Sequence, residues 1–261
     1  MLKLELAKTF TVDHPSMDTP AKYLFYGATG VGKTYKIGEM LECPEVCPFL
    51  LLDVDRGSRT IAGPDMAQRI DRVLVRDMGM IRDVLRWLAN STHPYKAVAV
   101  DGLSAVYNWA MTERLNSPGL EIAAPQLQDW GHCTVRMRAL LEHIQALPMH
   151  VIATCQEGYQ KDEMTGAIYI APDLPGKLAR EVAGYFDLVA RLTVQVQPAG
   201  GLNRVMQLQP LPRIGAKCRS PLLRDTELSN TPFKDLFSRE RYGKVPEPEP
   251  ITAPDIQKGK D

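Results

Sequence analysis

The sequence predicts an α/β fold: a mostly parallel central sheet with helices on both faces and an antiparallel extension at the C-terminal side. Three observations lead there. Short apolar runs alternate with stretches of helical spacing through about residue 155. The runs are apolar throughout, as in strands covered on both faces. After Gly184 the helical stretches give way to two strand-like runs around Pro198-Ala199-Gly200-Gly201, which reads as a hairpin.

Taken in order, Lys22–Tyr26 (KYLFY) is a strand running into a glycine-rich turn, and Lys33–Glu42 follows as a helix. Phe49–Asp53 (FLLLD) and Arg72–Arg76 (RVLVR) are the second and third strands. Met80, Ile81, Val84, Leu85 and Leu88 then recur at helical spacing, with Asp77 placed to cap that helix. Lys96–Asp101 (KAVAVD) is the fourth strand, and a helix follows to about Arg114. Asp129–Leu147 is helical and stops at Pro148; Met149–Cys155 (MHVIATC) is the fifth strand. Phe186–Val196 and Asn203–Leu208 form the hairpin. The expected organisation is an N-terminal extension over 1–20, a core over 21–236 and a tail over 237–261. The tail's Pro- and charge-rich composition, clearest from Lys244 (KVPEPEPITAPDIQKGKD), predicts disorder.

Composition narrows the function. The chain has 261 residues, 44% of them hydrophobic and 24% charged, enough to bury a substantial core without disulfides or a structural metal. Its 31 basic and 31 acidic side chains cancel, so any nucleic-acid contact must come from a local patch and not from a bulk field. No apolar run reaches the ~18–20 residues of a membrane span, and the start MLKLELAKTFTVDHP lacks the apolar stretch of a signal peptide. Five scattered cysteines read as reduced thiols of a cytoplasmic protein.

The chemistry is concentrated at strand ends. Gly27-Ala28-Thr29-Gly30-Val31-Gly32-Lys33-Thr34 matches G-x-x-x-x-G-K-[ST] between a strand and a helix. The glycines let the backbone curl so that successive N–H groups face phosphate oxygens, and the helix adds its positive end. Lys33 is then the partner of the β- and γ-phosphates, and the Thr34 hydroxyl a ligand for Mg²⁺. A second carboxylate for the ion comes from Asp101, at the carboxyl end of a buried strand. Two groups are candidates for orienting an attacking water: Asp55, beyond the second strand, and Gln156, beyond the fifth. Plain alternatives exist for each: a glycine-rich turn, a helix cap at Asp101, a solvated Asp55 and a hydrogen-bonded loop glutamine.

These elements, in this order, resemble the RecA-type ATPase core, through GATGVGKT at 27–34, LLDVD at 51–55, VAVDGLSAV at 98–106 and VIATCQE at 151–157. The resemblance covers about residues 20–225 and implies an ATP-binding, Mg²⁺-dependent ATPase. Asp55 takes the place of the family's catalytic Glu, one methylene shorter, which implies slow hydrolysis. Gln156 stands where the family senses the γ-phosphate. Lys217-Cys218-Arg219 resembles the paired bases that reach a neighbouring subunit's γ-phosphate, so Lys217 and Arg219 are expected to act in trans within a homo-oligomeric ring or filament. The chain as a whole is more similar to compact phage-encoded, core-only RecA-like proteins associated with single-strand annealing and recombination, which would place it in the host cytoplasm.

The family's DNA-facing loops would fall near Leu115–Asp129, which holds little charge, and Glu157–Pro172. In the second, Tyr159, Lys161 and Tyr169, with Lys177 nearby, are candidates for single-stranded DNA, because aromatic rings stack on unpaired bases. A solvated hairpin explains the same residues. Trp109 and Trp130 lie on helical stretches and read as core or interface residues. Three other readings remain: a nucleotide-gated annealing protein with little turnover, a motor or loader subunit of a replication or packaging complex, and a small-molecule kinase. The last would need an arginine-rich lid, and none is evident.

Overall fold

A computed structural model of the chain describes residues 16–63, 66, 68–116, 124–161, 164–198 and 200–243. The expected tail from 244 onward, and residues 1–15 of the expected N-terminal extension, lie outside the described residues.

Six strands pair in parallel at the centre. β1 (Lys22–Gly27) lies between β5 (His150–Lys161) and β7 (Leu188–Val196). Beyond β5 come β4 (Ala97–Asp101), β2 (Phe49–Asp53) and the edge strand β3 (Asp71–Leu74). On the other side β7 turns back into β8 (Leu202–Gln207), and β9 (Lys217–Cys218) and β10 (Glu227–Ser229) add antiparallel pairs. The fifth strand does not end at Cys155 as expected: the second half of β5 leaves the sheet and forms a hairpin with β6 (Ile168–Pro172).

Side chains that alternate along each strand build two cores. Leu24, Tyr26, Leu50, Leu52, Val98, Val100, Val151 and Ala153 face α2 (Met78–Asn90), α3 (Leu103–Leu115) and α4 (Leu127–Ala146), with the short α5 (Leu178–Glu181) in the same core. Tyr23, Phe25, Phe49, Leu51, Ala97, Ala99 and Ile152 face α1 (Lys33–Gly38) and α6 (Phe233–Tyr242). Asp77 caps α2 as its position suggested, accepting the Met80 N–H at 2.7 Å. Two expectations need correction. The helix after the glycine-rich turn keeps α geometry only to Gly38 and tightens into a 3-10 turn over Glu39–Glu42. The core does not stop at 236, because α6 runs on to Tyr242. Phe233, Leu236 and Phe237 are buried against Tyr23 and Phe25, each contributing roughly 1.5–3 kcal/mol. Among the described residues no helix is long and apolar enough to cross a membrane.

Candidate nucleotide site

The alternation that fills the α1-side core continues off the ends of the strands. Asp53 follows Leu51, Asp101 follows Ala99, and Thr154 and then Gln156 follow Ile152, each in steps of two and so on the face that carries α1. Register sets them side by side: Asp53 is level with Asp101, Asp101 with Thr154, and Gly27 with Gln156. The residues separated by more than 100 positions in the chain thus meet at one sheet edge, the carboxyl end.

The glycine-rich turn occupies that edge. Gly30 and Gly32 have φ of 85° and 104°, a region open to glycine and strained for other residues. Lys33 is buried, and its ammonium donates to the carbonyls of Gly27 (2.8 Å) and Ala28 (2.9 Å) and to Oε1 of Gln156 (2.9 Å). Burial lowers its pKa and the charge of Asp101 opposes that effect. The Thr34 hydroxyl donates to Oδ2 of Asp101 at 2.8 Å, and Thr154 donates to Oδ1 at 2.6 Å. Burial raises the Asp101 carboxyl and these hydroxyls counter it.

Two glycines that the sequence reading passed over shape the space between these groups. A Cβ on Gly57 would lie 3.2 Å from the Thr34 hydroxyl and 3.3 Å from Oδ2 of Asp101, so its absence leaves a cradle beside both oxygens. A Cβ on Gly102, whose φ is 120°, would lie 2.5 Å from the Asp55 carboxyl carbon. Asp55 therefore rests against bare backbone next to Asp101. Burial, and after it the charge of Asp101, push the Asp55 carboxyl up to about 6.

Asp53 is fully buried; Oδ2 accepts from Ser58, which accepts in turn from Arg72 at 2.7 Å, while Oδ1 has no partner among the described residues. This chain of contacts ties the turn bearing Asp55 to the sheet. A threonine hydroxyl, a carboxylate held by two hydroxyls, an orphaned carboxylate oxygen one strand away and an open cradle together fit a hydrated divalent cation. No three His, Cys, Asp or Glu side chains converge on one point among the described residues. An ion there would accordingly draw its remaining ligands from water and phosphate.

Gln156 is held by its backbone. Its N–H donates to Ser104 Oγ at 3.1 Å and its carbonyl accepts from the Asp173 N–H at 2.7 Å. Ser104, in the first turn of α3, also donates to the Asp173 carbonyl. Sequence reasoning missed this serine; its only signal was its place three residues after Asp101.

Other expected residues lie elsewhere. Lys217 is level with Val189 and hence with Leu24, three residues short of Gly27, or ~10 Å back along the strand. It donates to the carbonyls of Ala183 (2.6 Å) and Phe186 (2.8 Å). Arg219 pairs with Asp187 at 2.9 Å. Neither base reaches the chain's own phosphate loop. Tyr159, Lys161 and Lys177 are exposed on or beside the β5–β6 hairpin, and the Tyr159 hydroxyl donates to Glu157. Tyr169 is half-buried, packed on the core, with Arg180 5.3 Å over its ring; it is committed to packing, unlike the open ring expected for base stacking.

Beside Asp53 a cavity of about 690 Å³ is lined by Arg56, Arg59 and Arg72. A smaller one of about 210 Å³ lies on the other flank of α1.

Among solved structures, the chain is similar to a RadB recombinase, with 18% identity over 75% of this chain and 84% of that one, at a TM-score of 0.40. It is also similar to a KaiC-like protein from the hyperthermophilic archaeon Pyrococcus horikoshii OT3, with 16% identity over 77% and 84%, at a TM-score of 0.40. No curated protein sequence matches it. The family model described as "AAA domain" matches residues 19–220. That span takes in the phosphate loop, Asp101, Gln156 and the parallel sheet that aligns them: the chain belongs to the AAA domain family of nucleotide-binding P-loop proteins, on a mostly parallel α/β core.

Proposed function

We propose that the chain binds ATP with Mg²⁺, hydrolyses it slowly, and acts as an oligomer on single-stranded DNA in recombination or strand annealing. The observation that carries this reading is the meeting of Lys33, Thr34, Asp101 and Gln156 at one sheet edge, with Asp55 laid against Gly102. Lys33 would exchange its carbonyl contacts for the β- and γ-phosphates, and the Gln156 amide beside it would meet the γ-phosphate. Thr34 and Asp101 would hold the ion, which when bound neutralises charge on the β- and γ-oxygens. Water attacks the γ-phosphorus, the bond to the β-bridging oxygen breaks, and ADP and phosphate leave. Asp55 would accept the water's proton.

The DNA reading rests on Tyr159, Lys161 and Lys177, exposed on the segment that leads directly out of Gln156. The trans reading rests on Lys217 and Arg219, which lie away from their own loop and would have to reach a neighbour's. Five free thiols support a reducing, cytoplasmic setting, the host's if the chain is phage-encoded.

Steady-state ATPase assays with and without single-stranded DNA test the reading. Turnover should rise with DNA and with protein concentration, and the Tyr159→Ala/Lys161→Ala double variant should lose the DNA response. A mixture of Lys33→Ala with Lys217→Ala should recover part of the activity that each lacks. One observation favours a second reading, in which ATP is a structural ligand of an annealing protein: Lys217 and Arg219 are already engaged within their own chain. Annealing that survives Lys33→Ala, with turnover indifferent to DNA, would select it.

A further inference from the structure

We propose that the cleft between α1 and the β7–β8 hairpin seats the nucleobase, held between Arg204 and Tyr35, and that this cleft makes the chain prefer a nucleotide over a bare polyphosphate. The inference rests on the nucleotide reading and extends it to residues outside the phosphate-loop motif.

Position comes first. The cavity of about 210 Å³ has Val31 and Gly32 of the loop in one wall and Tyr35 of α1 in the next, so it opens directly off the phosphate cradle. Its floor is apolar: Leu192 of β7 and Met206 of β8, register partners, are both buried. Tyr35 keeps 44% of its surface exposed although it sits on a short helix with a buried face.

Arg204 closes the opposite side. Its Nε lies 3.3 Å from where a Cβ on Gly32 would stand, so the side chain lies along the loop's glycine. The guanidinium has no partner among the described residues, whereas Arg114, Arg136, Arg138 and Arg191 are each tied to a carboxylate. Its backbone, in contrast, is clamped. The Arg204 N–H donates to Oδ1 of Asn230 at 2.9 Å, and the Asn230 N–H donates back to the Arg204 carbonyl at 2.7 Å. Asn230 holds this clamp at φ 47°, a left-handed conformation that asparagine tolerates. The clamp fixes the backbone from which an unpaired arginine extends along the phosphate loop.

The lining selects the ligand class. The cleft's other charges are spent on each other and on the backbone: Lys36 pairs with Glu39 at 2.6 Å, and Glu39 also accepts the Phe233 N–H. Apart from Arg204 itself, the lining of the cleft therefore carries no net charge. An apolar floor, an aromatic ring and a planar guanidinium suit a flat heteroaromatic ring, because guanidinium groups stack on π-faces. The base of the nucleotide whose phosphates the loop holds is that ring, within reach of the first turn of α1.

Equilibrium binding of Mg–ATP and of Mg–tripolyphosphate to the full chain tests this, with Arg204→Ala, Arg204→Lys, Tyr35→Ala, Arg59→Ala and Lys33→Ala. Arg204 and Tyr35 are exposed, so their loss leaves the core intact, and thermal melts verify it. Arg204→Ala should weaken ATP about tenfold and leave tripolyphosphate within about twofold; Arg204→Lys should recover only part, and Tyr35→Ala should follow the same pattern. Equal weakening of both ligands would overturn the proposal, since Arg204 would then act on phosphate. So would an unchanged ATP affinity, most clearly if Arg59→Ala lowers it instead and moves the base to the arginine-lined cavity beside Asp53. If the unaltered chain binds neither ligand, or Lys33→Ala changes neither, the nucleotide reading itself fails and the proposal with it; that result is distinct from the other two.

Discussion

Two lysines, eleven positions apart, bracket β1 and show how its two ends differ. Lys22 and Lys33 are both buried, and each ammonium donates to a pair of backbone carbonyls. At the amino end, Lys22 takes Leu147 and Met149 and, among the described residues, nothing else, and the charges around it are engaged: Asp187 binds the Lys22 N–H and Arg219, and Lys217 caps two carbonyls. At the carboxyl end, Lys33 adds the Gln156 side chain to its carbonyls. Around it lie an orphaned carboxylate oxygen, a carboxyl raised to about 6 and glycines at positive φ. One end has finished its bonding within the chain. The other holds polar groups in place for a partner from outside, which is what a preorganised site requires.

The contrast breaks most visibly if the two lysines are removed. Lys33→Ala should cut nucleotide affinity by a hundredfold or more, measured by calorimetry, and lower stability less than Lys22→Ala does, because one of the two carbonyls it leaves belongs to the exposed Ala28. Lys22→Ala should do the reverse, lowering stability by about 2–4 kcal/mol in a urea titration because two carbonyls lose their donor, with affinity unchanged. Should Lys22→Ala impair binding as strongly, the two ends are not functionally separate.

A smaller but sharper effect is expected from Gly102→Ala. Its Cβ would strike the Asp55 carboxylate and the backbone would be strained at φ 120°. Turnover should fall at least tenfold while ATP affinity changes by less than about threefold, separating the water-facing carboxylate from the phosphate grip.

The mildest test is pH. His150, at the amino end, accepts the Ala21 N–H, and burial, then the charges of Arg241 and Lys22, lower its pKa from 6.5 to about 4. The folded chain thus binds fewer protons than the unfolded one between these values. Stability that is fully present above about 6.5 is lost as pH falls toward 4, by at most about 3 kcal/mol. His150→Gln should flatten that part of the stability profile, read by denaturant midpoints at pH 4.5 and 7. Asp55 predicts a different signature at the other end: kcat/KM for hydrolysis should rise as pH passes through about 6 and the carboxylate ionises.

Much of the carboxyl end was readable in advance because its signals are local. The loop motif spans eight adjacent residues, and Asp101 and Gln156 are found by following an apolar run to its end. Asp77 was readable as a cap for the same reason. Ser104, Gly57, Gly102 and Arg204 were not, since each matters through a neighbour distant in the chain: Gln156, Thr34, Asp55 and Gly32 respectively. The Pro- and charge-rich composition beyond 244 hid the apolar face of α6, because Phe233, Leu236 and Phe237 alternate with charged residues over only ten positions. Lys217 and Arg219 illustrate the converse, where motif likeness is visible but the partner that would define their role is not in the chain's own fold.

Apolar alternation and the glycine pattern are properties of neighbouring residues, and they determined by themselves that this chain makes a parallel sheet with a phosphate loop at a strand's end. The tertiary structure alone decided which side chains share that edge. Strand register brings together residues from distant segments, and a difference of one position would turn Asp53, Asp101 and Gln156 to the opposite face.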